Sequence, residues 1–355
     1  MLRAFRVRFS GVTCAPARVT RADKLPLPRP SYTGRAMRVE AEPSRASPIA
    51  PTELRRLQER SDGRGVARLV IHASAIGVTG LLYGVSLGHP GHPLPTFLLL
   101  VAYGFTLVTM FAAMHETVHR TAFASRGLND TVGWAAGLLS FYNSTFYRYY
   151  HGWHHRFTQI PGKDPELEER KPTSFASYVV MMSGVPWWLG KFATYATIAA
   201  GKVEGFPYLN EETRPLVVRS VRLQLAVYAA AIALSFLVGE PLFVTYWLLP
   251  VAVGQPLLRA ILLAEHGGCS ETDDPLTNTR TTHTVLPVRV LMWEMPFHAE
   301  HHRWPALPFH ALAEAHVSLG PNLAHVARHG YLGFHVAFLR SIARTSTSIP
   351  GGSSR

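Results

Sequence analysis

The sequence predicts an all-α integral membrane protein with about four transmembrane helices in two hairpins, interfacial helices and a cytosolic helical cap. Apolar residues make up 47% of the 355 residues and charged residues only 16%, a balance that favours the membrane class. Residues 69–115 contain no Asp, Glu, Lys or Arg, and a second long apolar stretch covers 223–263. A membrane helix needs about 20 apolar residues, so each stretch can hold two spans.

Composition also restricts the classes of function. Cys14 and Cys269 are too few and too far apart for a disulfide framework or a cysteine zinc site. The net charge of +12 could indicate nucleic-acid binding. The basic residues instead flank the apolar stretches, as in cytosolic loops and lipid headgroup contacts. We therefore expect a membrane partner and no nucleic acid.

Residues 1–66 are predicted to form a polar, disordered extension and a lead-in to the membrane domain. The first 36 residues are rich in Arg, as targeting segments are, but they show no clear amphipathic pattern. A disordered extension is the simpler interpretation, and Met37 is an alternative start. The membrane domain is placed at 67–340 and a disordered Ser/Gly-rich tail at 341–355.

The first predicted hairpin consists of spans at 67–87 and 94–114, joined by the turn GHPGHPLP at 88–95. A short turn makes the two spans antiparallel, so the chain enters and leaves on the same side. His115 is therefore expected to emerge beside the N-terminal lead-in.

Two further apolar segments are less suited to crossing a membrane. Residues 131–147 are short and rich in Gly, Ser, Asn and Tyr, and 175–200 is interrupted by Trp187, Trp188 and Lys191. Aromatic and cationic side chains favour the membrane interface. We therefore predict interfacial helices in both segments.

The second predicted hairpin repeats the layout of the first within 223–263, with a GEP turn at 239–241. It brings His266 to the side on which His115 emerges. Basic loops border that side, which the positive-inside rule makes cytosolic. Residues 264–340 are predicted to form the cytosolic cap, with the active site on that side.

Nine histidines lie in four clusters at span ends and in the cap. The clusters are HETVH (His115, His119), HGWHH (His151, His154, His155), AEHGG (His266) and HAEHH (His298, His301, His302). Imidazoles spaced i, i+3 and i+4 share one face of a helix. The clusters therefore indicate a metal site rich in imidazole.

The HETVH cluster alone also matches the H-E-x-x-H signature of zinc metalloproteases. However, a catalytic zinc takes three protein ligands, and nine imidazoles exceed that number. The surplus fits two metal ions. A carboxylate-bridged pair of the ferritin type needs two Glu-x-x-His motifs, whereas only Glu116 to His119 provides one. A metal transporter would place the histidines within the spans.

The order HxxxH, HxxHH, a single His after the last span and HxxHH resembles the membrane fatty acid desaturase and hydroxylase superfamily. That superfamily includes alkane monooxygenases and carotenoid ketolases and hydroxylases. The flanking segments RGLNDTVGW, KDPEL and MPFHAEHHRWPALPFH resemble its bacterial desaturase-like branch. The resemblance covers about residues 66–336.

This resemblance implies a non-heme di-iron oxidoreductase that uses O2 to oxidise a lipid chain. Fatty acid desaturation is the first choice, and hydroxylation of a fatty acid, a hydrocarbon or a carotenoid or other terpenoid is the alternative. A membrane zinc protease remains a distant alternative. The implied ligands of the two iron ions are His115, His119, His151, His154, His155, His266, His298, His301 and His302.

Electrons are expected from a separate protein of the ferredoxin, rubredoxin or cytochrome b5 type. The chain has no HPGG heme-binding context and no ferredoxin-like cysteine pattern.

Several polar residues neighbour the implied ligands and are candidates to orient them. Carboxylates commonly accept the second N–H of a ligating imidazole, although solvated or helix-capping roles fit them equally well. The candidates are Glu116, Asp164, Glu265 and Glu300. His310 and His316 follow the last cluster and are further candidates, either to orient a ligand or to bind the metal themselves.

Overall fold

The computed structural model of the protein describes residues 49–89, 91–169 and 171–347. The predictions for residues 1–48 and 348–355 lie outside this range. The described part of the chain forms fourteen α-helices and one pair of short strands. In order, these are α1 (Pro51–Leu57), α2 (Asp62–Leu87), α3 (Pro93–Val108), α4 (Met110–Val118), α5 (Arg126–Ser140), α6 (Ser144–Phe157), α7 (Phe175–Met182), α8 (Val185–Ala199), α9 (Thr213–Val238), α10 (Leu249–His266), β1 (Thr281–Thr282), α11 (Leu286–Leu291), α12 (His298–Arg303), α13 (Phe309–Leu319), β2 (Val326–Ala327) and α14 (Gly330–Thr347).

Within the described residues, four helices are long and apolar enough to cross a membrane, which confirms the predicted number of spans. They cover Asp62–Leu87, Pro93–Val118, Thr213–Val238 and Val244–His266. The second span joins α3 to α4, and the fourth begins with a π-helical segment at Val244–Leu248 and continues into α10. The first span begins five residues earlier than expected, because the Ser61 side chain caps α2 by accepting the Arg64 N–H.

The four spans differ in how much of their surface the protein covers. The windows in α2 and α9 are only 11% and 17% buried, whereas those in the second and fourth spans are 67% and 50% buried. Leu81 and Leu237 on the outer helices are 68% and 84% exposed. Such apolar surface is stable when lipid covers it. The second and fourth spans, the inner pair, therefore pack mainly against the rest of the protein, and the first and third spans, the outer pair, face lipid.

The inner pair of spans packs at two glycines. A Cβ on Gly104 of α3 would lie 2.2 Å from the Pro250 carbonyl oxygen, and a Cβ on Gly254 of α10 would lie 2.4 Å from the Gly104 oxygen. Only glycine allows two backbones to approach so closely. The last span thus packs chiefly against α3, whereas α9 packs against α6 and α8.

The predicted interfacial segments are each divided into two helices. α5 ends at Phe141, which has a left-handed φ of 62°, and Asn143 then caps α6 by accepting the Phe146 N–H. Gly184, with φ of 74°, separates α7 from α8. These breaks turn the chain, so α6 runs beside α4 and brings the second histidine cluster to the first.

The region after the last span forms the helical cap. β1 and β2 pair in parallel, with Thr281 opposite Val326. α12 packs against β1 and α13. α14 continues to Thr347, seven residues beyond the predicted end of the membrane domain at 340.

Candidate metal centre

The nine clustered histidines lie on or at the ends of four helices that converge at one end of the spans. His115 is on the last turn of α4 and His119 is its C-cap. α6 carries its three histidines on one face, α10 ends at His266, and α12 begins at His298. Side chains spaced i, i+3 and i+4 along a helix point the same way, so each helix presents its histidines together.

Five of the nine histidines form a first group. Their ring nitrogens include one atom from each residue, and all of these atoms lie within 4.8 Å of one another. Three different segments contribute to the group, so its assembly depends on the tertiary fold. Its members are His115, His119, His151, His155 and His301.

A second group contains His154, His266 and His302, again with donor atoms within 4.8 Å of one another. His298 belongs to neither group, but its Nε2 lies 3.0 Å from Nε2 of His266. The two groups are in contact, because the rings of His155 and His302 stack at a centroid distance of 4.3 Å. The fold therefore brings all nine predicted residues to one place.

Many of these buried ring nitrogens have no hydrogen-bond partner among the described residues. A buried polar atom without a partner costs free energy, and a metal ion would supply a partner for several at once. Imidazole ligands suit zinc, copper, iron and nickel. The unpartnered atoms are both ring nitrogens of His115, Nδ1 of His151, His155, His298 and His301, and Nε2 of His119, His154 and His302.

Other ring nitrogens in the second group are held by neighbouring protein atoms. Nδ1 of His154 donates to Asp164 Oδ1 at 2.8 Å, and Nδ1 of His266 donates to the Asn278 carbonyl at 3.0 Å. Nδ1 of His302 lies 3.2 Å from Thr158 Oγ1. These contacts fix the ring orientation and leave each Nε2 toward the group.

The predicted orienting carboxylates have different environments. Asp164 contacts His154 as described, and Glu265 lies 3.7 Å from Nε2 of His298. Glu116 instead accepts the Phe309 N–H at 2.9 Å. In a zinc protease the glutamate of HETVH would act as general base at the metal, so this contact does not support that alternative.

The remaining predicted candidates lie one step farther out. Glu300 accepts hydrogen bonds from Thr281 and from Nδ1 of His316, the latter at 2.6 Å. His310 contacts Arg64 at 2.9 Å. His316 thus holds Glu300 of α12, whereas the half-buried His310 contacts Arg64 of α2.

Glu166 is a residue of the site that the sequence reasoning missed. Its carboxylate lies 3.6 Å from Nε2 of His154 and 3.9 Å from Nδ1 of His151, and the three form a further potential metal-binding group. Asp164 accepts the Glu166 N–H at 2.9 Å, which turns the loop back toward α6. The Asp-Pro-Glu sequence of this turn was the available signal.

Burial determines the charge state of most of these rings. It lowers the pKa of His119 to about 3, with His154 and Arg148 contributing in the same direction. Burial and the neighbouring His119 and His115 also hold the pKa of His301 well below its ordinary value. At neutral pH these rings are therefore uncharged and able to ligate a metal.

His154 behaves differently from the other rings. Burial acts to lower its pKa, but the carboxylates of Glu166 and Asp164 outweigh burial and raise the pKa above the ordinary value. The negative charge near His154 would also help to neutralise a bound cation.

A cavity of ≈ 710 Å³ opens beside both groups of histidines. His115, His151, His154, His266 and His298 line part of it. Aromatic side chains line it as well, among them Phe111, Tyr142, Tyr147, Trp187 and Tyr208, and charged side chains lie between them. Sites for small molecules are commonly apolar clefts of about this size, within 300–1,000 Å³.

The chain is similar in sequence to several known proteins. The chain is 25% identical over 276 residues to an sn-1 oleoyl-lipid 12-desaturase of Synechocystis, covering 72% of this chain and 74% of that protein. It is 23% identical to a chloroplastic omega-6 fatty acid desaturase of Brassica napus, covering 64% and 55%. It is 26% identical to a beta-carotene 4-ketolase of Protosiphon botryoides, covering 58% and 47%. The chain thus spans between 47% and 74% of the length of these relatives.

A family model described as fatty acid desaturase matches residues 90–334, which is more than half of the chain. The match includes the second, third and fourth spans and all four histidine clusters. The chain therefore belongs to the fatty acid desaturase family, whose members are membrane oxidoreductases of lipid metabolism.

Proposed function

We propose that this protein oxidises a lipid acyl chain with O2 at a centre of two iron ions, and that the reaction is fatty acid desaturation. One observation carries the proposal: two contacting groups of buried imidazoles adjoin an aromatic-lined cavity large enough for part of an acyl chain. The desaturases among the relatives support the choice of reaction.

The nine clustered histidines are the proposed ligands. The group of five, with His115 and His301 among its members, would hold one ion. His154, His266 and His302, joined by the adjacent His298, would hold the other. When bound and reduced, iron with nitrogen ligands supplies the O2 chemistry needed to attack an unactivated C–H bond.

The protein would orient the imidazole ligands and limit the access of water to the substrate. Asp164 and the Asn278 carbonyl orient His154 and His266. Tyr147 stacks on His151 at a centroid distance of 5.0 Å, and both rings line the cavity. Aromatic walls of this kind exclude water and hold an apolar chain in a limited set of orientations.

Oxidation of a carotenoid or another terpenoid is the second candidate, because one relative is a beta-carotene 4-ketolase. Desaturation removes two hydrogens, whereas hydroxylation or ketone formation adds oxygen to the product. The two candidates are therefore distinguished by the mass of the product.

We further infer that the site faces the cytosol and receives electrons from a separate ferredoxin, rubredoxin or cytochrome b5. Each predicted hairpin ends in a histidine, His115 or His266, on the same side of the membrane as the basic loops, and basic loops favour the cytosol.

The test compares lipids and terpenoids extracted from cells that express the wild-type chain or the His301→Ala variant. His92→Ala is the matched control, because His92 is exposed in the turn between α2 and α3. Wild type and His92→Ala should produce the same new double bond, and His301→Ala should produce none while still inserting into the membrane. Product formation by His301→Ala would contradict its assignment as a ligand.

Metal analysis of the purified protein provides an independent test. About two iron ions per chain are expected, and iron should be reduced in His301→Ala. One zinc ion per chain without iron would overturn the oxidation proposal in favour of zinc chemistry.

A further inference from the structure

Among the described residues, four lysine and arginine side chains line the cavity, and two of them, Lys191 of α8 and Arg259 of α10, lie at one tyrosine ring. Arg259 is only 8% exposed although it lies within a membrane span. Neither Lys191 nor Arg259 forms an ion pair with a carboxylate in the part of the chain that the structure describes. A buried charge without a partner is costly, and an ionisable residue at membrane depth commonly marks a functional site.

Tyr142 connects the two cations. Lys191 Nζ lies 3.9 Å from the centroid of the Tyr142 ring, and Arg259 Nη2 donates to the Tyr142 hydroxyl at 2.8 Å. Trp187 Nε1 donates to the same hydroxyl at 3.1 Å. The hydroxyl oxygen therefore accepts twice, and its own proton has no acceptor in the described part of the chain.

Three hydrogen-bond donors around Tyr142 thus have no acceptor among the described residues: the Tyr142 hydroxyl, Arg259 Nε and the Lys191 ammonium. Arg259 Nε has no hydrogen-bond partner among the described residues, and a lysine ammonium can donate three hydrogen bonds. Carboxylates of the cavity lining act on the two cations without forming ion pairs among the described residues: the exposed Glu169 acts on Lys191, and Glu166 and Glu265 interact with Arg259. Burial and Arg259 lower the pKa of Lys191 to about 7, which an anion placed beside it would oppose.

From this geometry we infer that Lys191, Arg259 and Tyr142 bind the anionic end of the lipid substrate, as a carboxylate or a phosphate. This inference rests on the proposed function, because it assigns a substrate class to the same cavity. Charge-assisted hydrogen bonds to an oxyanion are among the strongest that side chains form.

The site also sets where the chain is oxidised. Tyr147 contacts Tyr142 at a centroid distance of 5.7 Å and stacks on His151 at 5.0 Å. A single ring therefore separates the anion site from the first group of histidines. The distance of a carbon from the charged end of the substrate, and not from its methyl end, thus determines whether it is oxidised.

Binding to the purified protein in a neutral detergent tests the inference directly. Oleate, oleoyl lysophosphatidate and methyl oleate share one chain and differ in the head. Oleate or the lysophosphatidate should bind roughly tenfold or more tightly than the ester, as expected for hydrogen bonds to a charged group. Preference for oleate identifies a carboxylate substrate, and preference for the lysophosphatidate identifies a phosphate headgroup. Equal binding of all three overturns the inference.

Lys191→Met and Tyr142→Phe should both remove most of this preference, and the ester should bind as before. Lys202→Met is the matched control, because Lys202 is exposed and lies outside the cavity lining. Lys191→Met should also raise the melting temperature of the ligand-free protein, since it removes a buried unpaired charge. A lower melting temperature together with unchanged preference for anions would assign Lys191 a structural role and overturn the inference.

Product analysis separates this inference from the proposed function. Chains of 16 and 18 carbons should be oxidised at the same carbon number from the carboxyl or headgroup end. A position fixed from the methyl end would overturn the anion site and leave oxidation itself standing. If no substrate is oxidised, the proposed function fails, and the binding comparison still decides whether the anion site exists.

Discussion

The Nδ1 atom of His154 lies 2.8 Å from Oδ1 of Asp164, and both side chains are fully buried. Asp164 also accepts the backbone N–H groups of Gln159 and Glu166. The carboxylate thus fixes the ring of His154 and the loop that follows α6 at the same time.

Replacing Asp164 by Asn should weaken metal retention by about 10- to 100-fold, the usual effect of losing a carboxylate that orients a ligating imidazole. The measurement is iron content after dialysis against graded concentrations of a chelator. Asp130→Asn is the control, because Asp130 pairs with Arg148 and Arg120 at the surface. Equal iron retention by Asp164→Asn and wild type would contradict a role in orienting the ligand.

Glu166→Gln should lower metal affinity by a smaller amount, about tenfold or less, because its carboxylate lies 3.6 Å and 3.9 Å from two rings without a direct hydrogen bond. The same chelator titration measures it. Glu168→Gln, an exposed neighbour, should have no effect. A loss larger than that of Asp164→Asn would instead make Glu166 a ligand.

Gly254→Ala should destabilise the protein by about 1–3 kcal/mol, because its Cβ would lie 2.4 Å from the Gly104 oxygen and force the inner spans apart. Thermal unfolding in detergent measures the change. Gly77→Ala is the matched control, since a Cβ there meets nothing within 4 Å and alanine favours a helix. An unchanged melting temperature for Gly254→Ala would show that the helices can separate without cost.

The metal-free protein should lose stability as the pH falls below about 6.5. Burial lowers the pKa of His119 from 6.5 to about 3 and lowers that of His301 as well. Between these values the unfolded chain binds protons that the folded chain does not, so acid favours unfolding. His154, with its raised pKa, acts in the opposite direction but is outnumbered.

Melting temperatures of chelator-treated protein at pH 7.5 and 5.5 test this prediction. The fall on acidification should be smaller in His301→Ala, which lacks one of the rings concerned. A melting temperature that stays constant between the two pH values would show that these rings do not control acid stability.

Local patterns in the sequence were sufficient to predict the spans and the histidine clusters. Long apolar runs determine the spans, and helical spacing alone places His298, His301 and His302 on one face. The assignment of histidines to two groups was not predictable, because it depends on contacts between distant segments. His301, for example, joins the histidines of α4 and α6 and not its neighbour His302.

Features that depend on tertiary packing were also missed. The sequence indicated Lys191 as a residue of the membrane interface, and Arg259 lies within the second predicted hairpin. The structure instead places both in the cavity, around Tyr142. The break at Phe141 that positions Tyr142 gives no strong local signal, since a left-handed φ is uncommon for phenylalanine.

The inner spans cross at Gly104 and Gly254, so a rotation of one helix about this crossing displaces the histidine at its end. His115 and His266 lie eleven and twelve residues beyond these glycines, which is roughly 16–18 Å along a helix. At that arm length a change of about 5° in the crossing angle would move either histidine by roughly 1.5 Å. The separation between His115 and His266 therefore depends on a backbone contact near the middle of two spans, roughly 17 Å from either histidine.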